Sequence, residues 1–189
     1  MGKLQTLIDE GKSQSEVSSY LDSLTHEDRL QEVQSLGGAA QRKLFQIAQA
    51  GITVNDLIPP QGKPHEEVIF YGKNSLPLFS LFQKRMARSQ DGSALVGYNY
   101  QALRPVTGPG YFMVSDKTDR PGEVMVDYTR LPQEKPSDWP EIKSNTRGIS
   151  SLVYGNMKDF LRRVSKNVFI GEATKKGKSL NQYFLLCRK

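Results

Sequence analysis

A chain of 189 residues that is 37% hydrophobic and 24% charged is long enough to bury a core and too apolar to stay disordered. One Cys and two His exclude a disulfide framework, a Cys-rich zinc module and most His-based metal sites, so neither a metal nor a cofactor is expected. The net charge of +6 is uneven: residues 1–64 carry 6 basic and 8 acidic side chains, residues 156–189 carry 9 and 2, and the basic C-terminal face suits an anionic partner.

No stretch reaches the run of about 18 apolar residues that a transmembrane helix needs. The N-terminal Met1-Gly2-Lys3-Leu4-Gln5 has no apolar h-region, and a cytoplasmic location is expected. Ser13-Gln-Ser-Glu16 fits a capping box, followed by Val17, Tyr20, Leu21 and Leu24 at helical spacing. Thr25 is a good N-cap for a second helix carrying Leu30, Val33 and Leu36, with Gly37-Gly38 as its stop signal. Ala40, Leu44, Ile47 and Ala48 form a further stripe ending at Gly51. Residues 1–58 therefore read as a helical segment, none of whose short helices is stable alone. Pro59, Pro60 and Pro64 mark a loop.

From residue 65 to residue 189 the period changes to that of strands. Runs rich in β-branched and aromatic residues are predicted over 67–71, 78–86, 94–100, 110–114, 123–128, 167–173 and 182–187. Turn chemistry over 117–122 and 175–178 joins two of the pairs as hairpins, Gly177 being suited to positive φ. Residues 131–145 form a Pro-rich loop holding Trp139, and 150–160 a short helix or turn. The expected fold is α+β: N-terminal helices, then an antiparallel β-barrel or strongly curved sheet. Several strands, such as Tyr111-Phe112-Met113-Val114, are apolar at consecutive positions. Their outer face must be covered by the helices or else form a homodimer interface.

The segment Val153-Tyr154…Asp159-Phe160-Leu-Arg162-Arg163-Val164, with Val168-Phe169-Ile-Gly171 and Tyr183-Phe184-Leu185-Leu186 after it, resembles the ending of lipocalin-like, calycin-type barrel proteins. Tyr71-Gly72-Lys73 before an aromatic strand is similar to the same group. The GxWxG signature of that family is not present, the one Trp standing in Asp138-Trp139-Pro140. The resemblance implies a barrel holding a small apolar ligand, and no catalytic residues.

Catalytic chemistry has few carriers. His26 reads as a surface residue in a helical first turn, His65 as a loop residue, and Cys187 as a buried, inert thiol. No metal-binding or phosphate-loop spacing is present. Asp127 and Glu172, in strands, are the carboxylates that could serve acid–base work beside Arg130, Arg162 or Arg163.

The function expected is non-catalytic binding of a small, largely apolar or amphipathic ligand inside the barrel. The interior set is expected to be Tyr111, Met113, Val124, Val126, Tyr128, Phe169 and Tyr183, with Arg162 or Arg163 meeting an acidic head group. The opposite strand parity remains open, because a slip of one residue reverses every assignment. The alternative is a basic module that binds nucleic acid or an anionic surface through the C-terminal third.

Overall fold

The structure is a computed structural model that describes residues 2–77, 80–102 and 104–189. The N-terminal part forms α1 (Lys3–Asp9), α2 (Gln14–Ser23), α3 (His26–Ser35), α4 (Gly38–Ile47) and the single turn α5 (Val54–Leu57). Ser13 accepts a hydrogen bond from the Glu16 amide, and the Glu16 carboxylate accepts one from the Ser13 amide at 3.0 Å, completing the capping box. Thr25 likewise caps α3 by accepting from the Asp28 amide. Gly37-Gly38 departs from its expected role as a stop. Leu36 already leaves α3 in an extended conformation, and Gly37, at φ −80°, is the N-cap of α4.

Eight strands follow: β1 (Val68–Asn74), β2 (Leu81–Arg88), β3 (Leu95–Tyr100), β4 (Phe112–Ser115), β5 (Val124–Asp127), β6 (Met157–Arg163), β7 (Val168–Lys175) and β8 (Lys178–Arg188). Two short helices, α6 (Arg104–Thr107) and α7 (Gly148–Tyr154), lie in the connections before β4 and β6. Each strand pairs antiparallel with the next and β8 pairs with β1, so the sheet is a closed barrel. The β7–β8 turn has Lys176 at φ 52° and Gly177 at φ 75°, the two positive values that a tight hairpin turn needs. Leu78 and Phe79, expected to open the second strand, lie outside the described residues. Over 150–160 the expected short helix ends at Tyr154, and β6 begins at Met157.

Consecutive apolar residues are explained by burial on both sides of the sheet. Outward-facing Val168, Ile170, Tyr183, Leu185 and Cys187 share a core with Leu4, Val17, Leu21, Val33, Leu36 and Leu44 of the helices. Around β3 and β4 the cover is the 131–145 loop. Its Trp139 packs on outward-facing Tyr98 and Tyr111, with ring centroids 4.9 and 6.4 Å away. Inside the barrel, Phe70, Met86, Leu95, Val114, Val124, Val126, Leu161, Phe169 and Leu186 fill one end. Ile52, Leu57 and Ile58 join that core and plug the end from below. Arg188 donates to the carbonyls of Asp56 and Leu57 at 2.9 Å, and Arg88 to that of Pro59 at 3.0 Å, tying the plug to the strand ends.

Three glycines shape the other end. Gly72, Gly97 and Gly171 stand directly across the ladder from Phe82, Phe112 and Phe184. Each phenyl ring lies flat on the glycine opposite, where a Cβ would collide with it. The rings are thereby held against the barrel wall rather than across the lumen. At Gly97 a Cβ would also sit 2.6 Å from the Arg85 carbonyl oxygen, which cannot swing away as a ring can. Gly97→Ala is expected to cost about 1–3 kcal/mol as overpacking, read as a lowered Tm with the barrel circular dichroism retained. An unchanged Tm would show that this wall has slack.

Candidate functional site

The unplugged end of the barrel opens into a cavity of about 370 Å³. Its walls are mainly Leu76, Phe82, Leu152, Val153, Tyr154, Met157, Leu180 and Phe184, with Asn74, Ser75, Gln101, Lys175 and Gln182 also on the lining, and its floor is Lys84, Asn99, Tyr128 and Asp159. Strand alternation places the floor. Lys84 lies between inward-facing Phe82 and Met86 on β2, Asn99 follows Gly97 on β3, and Asp159 precedes Leu161 on β6. Tyr128 follows Val126 just beyond β5. All four are buried, Lys84 at 2% exposure.

The floor is a hydrogen-bonded cluster around one amine. Lys84 Nζ donates to Asn99 Oδ1 at 3.2 Å, to Asp159 Oδ2 at 3.3 Å and to the Tyr128 hydroxyl. Asn99 Nδ2 donates to the Tyr128 hydroxyl and to the Gly110 carbonyl, both at 3.2 Å. The Tyr128 hydroxyl donates in turn to Asp159 Oδ2 at 3.3 Å. Phe112, Tyr128 and Phe184 each hold a ring centroid 5.0 Å from Nζ, and Phe82 one at 5.6 Å. Rings that close favour the ammonium form. Burial pushes the Lys84 amine's pKa down and the Asp159 carboxyl's up, and the charge of each partner pulls the other back. Burial, reinforced by the charge of Asp159, drives the Tyr128 phenol well above its ordinary value, so its proton stays on.

The donor and acceptor count decides what the floor can recognise. An ammonium has three protons, and all three of Lys84's are engaged. Both amide protons of Asn99 and the phenolic proton of Tyr128 are engaged as well. Asp159 Oδ1, although buried, accepts no hydrogen bond from the described residues. The unmet capacity of the floor is therefore that of an acceptor, which calls for a donor from above.

The residues expected to line the interior separate into two groups. Tyr128 is part of the floor, and Val124, Val126 and Phe169 belong to the filled core beneath it. Tyr111 and Met113 face outward: Tyr111 lies under Trp139, and Met113 borders an outer groove with Val96 and Leu131. Tyr183 borders the cavity rim, but its ring packs outward on Phe45 at 5.2 Å. Arg162 and Arg163, expected to meet an acidic head group, do not reach the cavity. Arg162 lies on the outer face, donating to Glu123 at 2.7 Å with its guanidinium 4.2 Å above the Phe45 ring. Arg163 is at the plugged end, ion-paired with Asp56.

Asp127 and Glu172 also face outward. Asp127 accepts from Thr129, while Glu172 pairs with Arg120 at 2.6 Å and accepts from Ser179. Arg130 is exposed beside the outer groove bordered by Met113. His65 lies at the plugged end, 3.6 Å from Glu134, and His26 opens α3 beside Tyr71. Cys187 is buried against the helices, which pushes its thiol up to about 11.

Of the cavity lining, sequence reasoning found Tyr128 and Tyr183; it missed Lys84, Asn99 and Asp159 of the floor and the wall residues from Leu76 to Phe184. The available signal was the alternation of Phe82, Lys84 and Met86, which places the lysine on the apolar face of its strand. Among the described residues there is no group of three or more His, Cys, Asp or Glu placed to hold a metal ion, and no helix long and apolar enough to cross a membrane. Neither a scan against protein-family models nor searches of the curated proteins and of the solved structures gave a match to this chain.

Proposed function

We propose that this protein binds, without catalysis, a small and largely apolar ligand in the open end of its barrel, in the manner of a lipocalin-like carrier. One observation carries this reading. An apolar-walled cavity ends on a buried polar floor whose free valence is the acceptor Asp159 Oδ1. Sites for small molecules combine such walls with a few placed polar groups, and about 300 Å³ is enough for one. The ligand would lie with its apolar body between Leu152, Val153, Tyr154 and Leu180. Its head, a hydroxyl or another neutral donor, would point at Asp159.

Native mass spectrometry of the purified full chain, at low and moderate salt, tests the proposal. The expected result is a retained small molecule that survives added salt. Ala173→Phe should lose it, because the new ring projects into the cavity beside Asp159. A bare protein mass in both conditions, together with no binding of long-chain alcohols offered in solution, would overturn the reading.

A further inference from the structure

The two ends of the barrel differ in charge and polarity. Among the described residues, nine large hydrophobic side chains are exposed, and all but Leu131 stand around the open end. They include Leu76 after β1, Leu81 at the start of β2, Val106 of α6, Ile149 and Leu152 of α7, and Leu180 of β8. Leu152 is 75% exposed and Val106 60%. Isolated exposed apolar residues are ordinary, but a ring of them on one end of a small barrel is not.

The charges follow the same axis. The open-end segments 75–77, 105–110, 145–156 and 175–182 contain Arg147, Lys175, Lys176 and Lys178 and no acidic residue. The plugged-end segments 50–67, 88–94, 116–123, 163–167 and 188–189 contain seven acidic and eight basic residues. The protein is thus polarised, with a positive, apolar end and a polar end where the two signs of charge nearly balance. A surface that offers both exposed apolar side chains and lysines matches the interface of an anionic bilayer. There the apolar side chains enter the acyl boundary while the cations meet the headgroups. Nucleic acid would satisfy the lysines but leave Val106, Ile149 and Leu152 in water.

We propose that the open end of the barrel docks on an anionic lipid bilayer, with α6, α7 and the β7–β8 turn at the contact. The surface shares Leu76, Leu152 and Leu180 with the cavity mouth, whereas Val106, Ile149, Lys176 and Lys178 lie outside the cavity lining, and docking there would bring the mouth against the membrane.

The test is co-sedimentation of the full chain with phosphatidylcholine vesicles, with and without phosphatidylglycerol. Binding is expected to the anionic vesicles only, and to weaken with salt. Near such a surface each basic residue contributes about fivefold in affinity, so Lys176→Asn with Lys178→Gln should weaken binding by roughly 25-fold. Val106→Ser with Ile149→Ser, at two exposed positions outside the cavity lining, should weaken it by at least about tenfold. Lys117→Gln with Lys166→Gln makes the same charge change at the plugged end and should bind as the unaltered protein does. Equal binding to neutral and anionic vesicles, no binding to either, or an equal loss in the plugged-end variant would overturn the proposal. So would a preference for single-stranded DNA over vesicles. None of these readouts depends on a ligand in the cavity, so the carrier reading and the docking surface can fail separately.

Discussion

Lys84→Met should destabilise the protein by about 3–5 kcal/mol, whereas Lys84→Met combined with Asp159→Leu should be nearly neutral or stabilising. Removing one partner leaves an uncompensated charge beneath the cavity, with Tyr128 and Asn99 unable to neutralise it. Removing both leaves apolar side chains among Phe82, Phe112 and Phe184, where an apolar side chain packs as well as an ammonium does. Denaturant unfolding of the two single variants and the double variant closes the cycle.

The pH dependence of Lys84→Met checks the mechanism. Burial has already raised the Asp159 carboxyl above its ordinary value of 3.8, and loss of the lysine removes the opposing pull. A group whose pKa is raised on folding favours the folded state below its unfolded value, and that advantage is lost as pH rises through the folded one. Lys84→Met should therefore be most stable in acid and lose stability towards neutral pH, while the double variant should stay flat over that range. A double variant as unstable as either single one would show that the pair holds the fold together. A stable double variant that no longer retains ligand would show that the charges are kept for binding.

The architecture was more legible than the site, for a physical reason. Helix caps are local: Ser13 with Glu16, and Thr25 with Asp28, are read within four residues of sequence. The barrel followed from strand runs and turn chemistry, which are also local. Strand parity is not. Where Tyr111, Phe112, Met113 and Val114 are all apolar, nothing in the run says which alternate residues face the lumen. The decision is made elsewhere, by Trp139 covering Tyr111 and by Gly97 receiving the Phe112 ring.

β6 was hidden for a related reason. Its inward positions are Met157, Asp159 and Leu161, so a buried carboxylate interrupts the apolar alternation at its centre. Lys84 was hidden between Gln83 and Arg85, which make the run look solvated although its own face is apolar. Local rules were broken at Lys84 and Asp159, the two charges at the base of the cavity. Departures from local consistency concentrate where a structure is built for something besides stability.

A long-chain alcohol should bind at least about a hundredfold more tightly than the carboxylic acid of the same length at neutral pH, since like charges brought together at a desolvated site cost several kcal/mol. Lys84 has no proton to spare for an incoming carboxylate, and the acid's charge would meet the unpaired Asp159 Oδ1. The alcohol donates to that same oxygen and satisfies it. Displacement of a fluorescent apolar probe by the two ligands, measured on the full chain, gives the ratio directly. Equal affinities would place the ligand's head outside the floor.

The ratio should invert in Asp159→Asn. The amide no longer neutralises Lys84, so burial pushes its amine down with nothing to pull it back, and a carboxylate ligand supplies the missing charge partner that favours the ammonium form. The acid should then raise the Tm of Asp159→Asn in proportion to its binding, while the alcohol does so only weakly. A single oxygen-to-nitrogen exchange at the bottom of the barrel would thus change the class of head group the cavity accepts. That outcome requires Lys84 and Asp159 to act on the ligand as one unit.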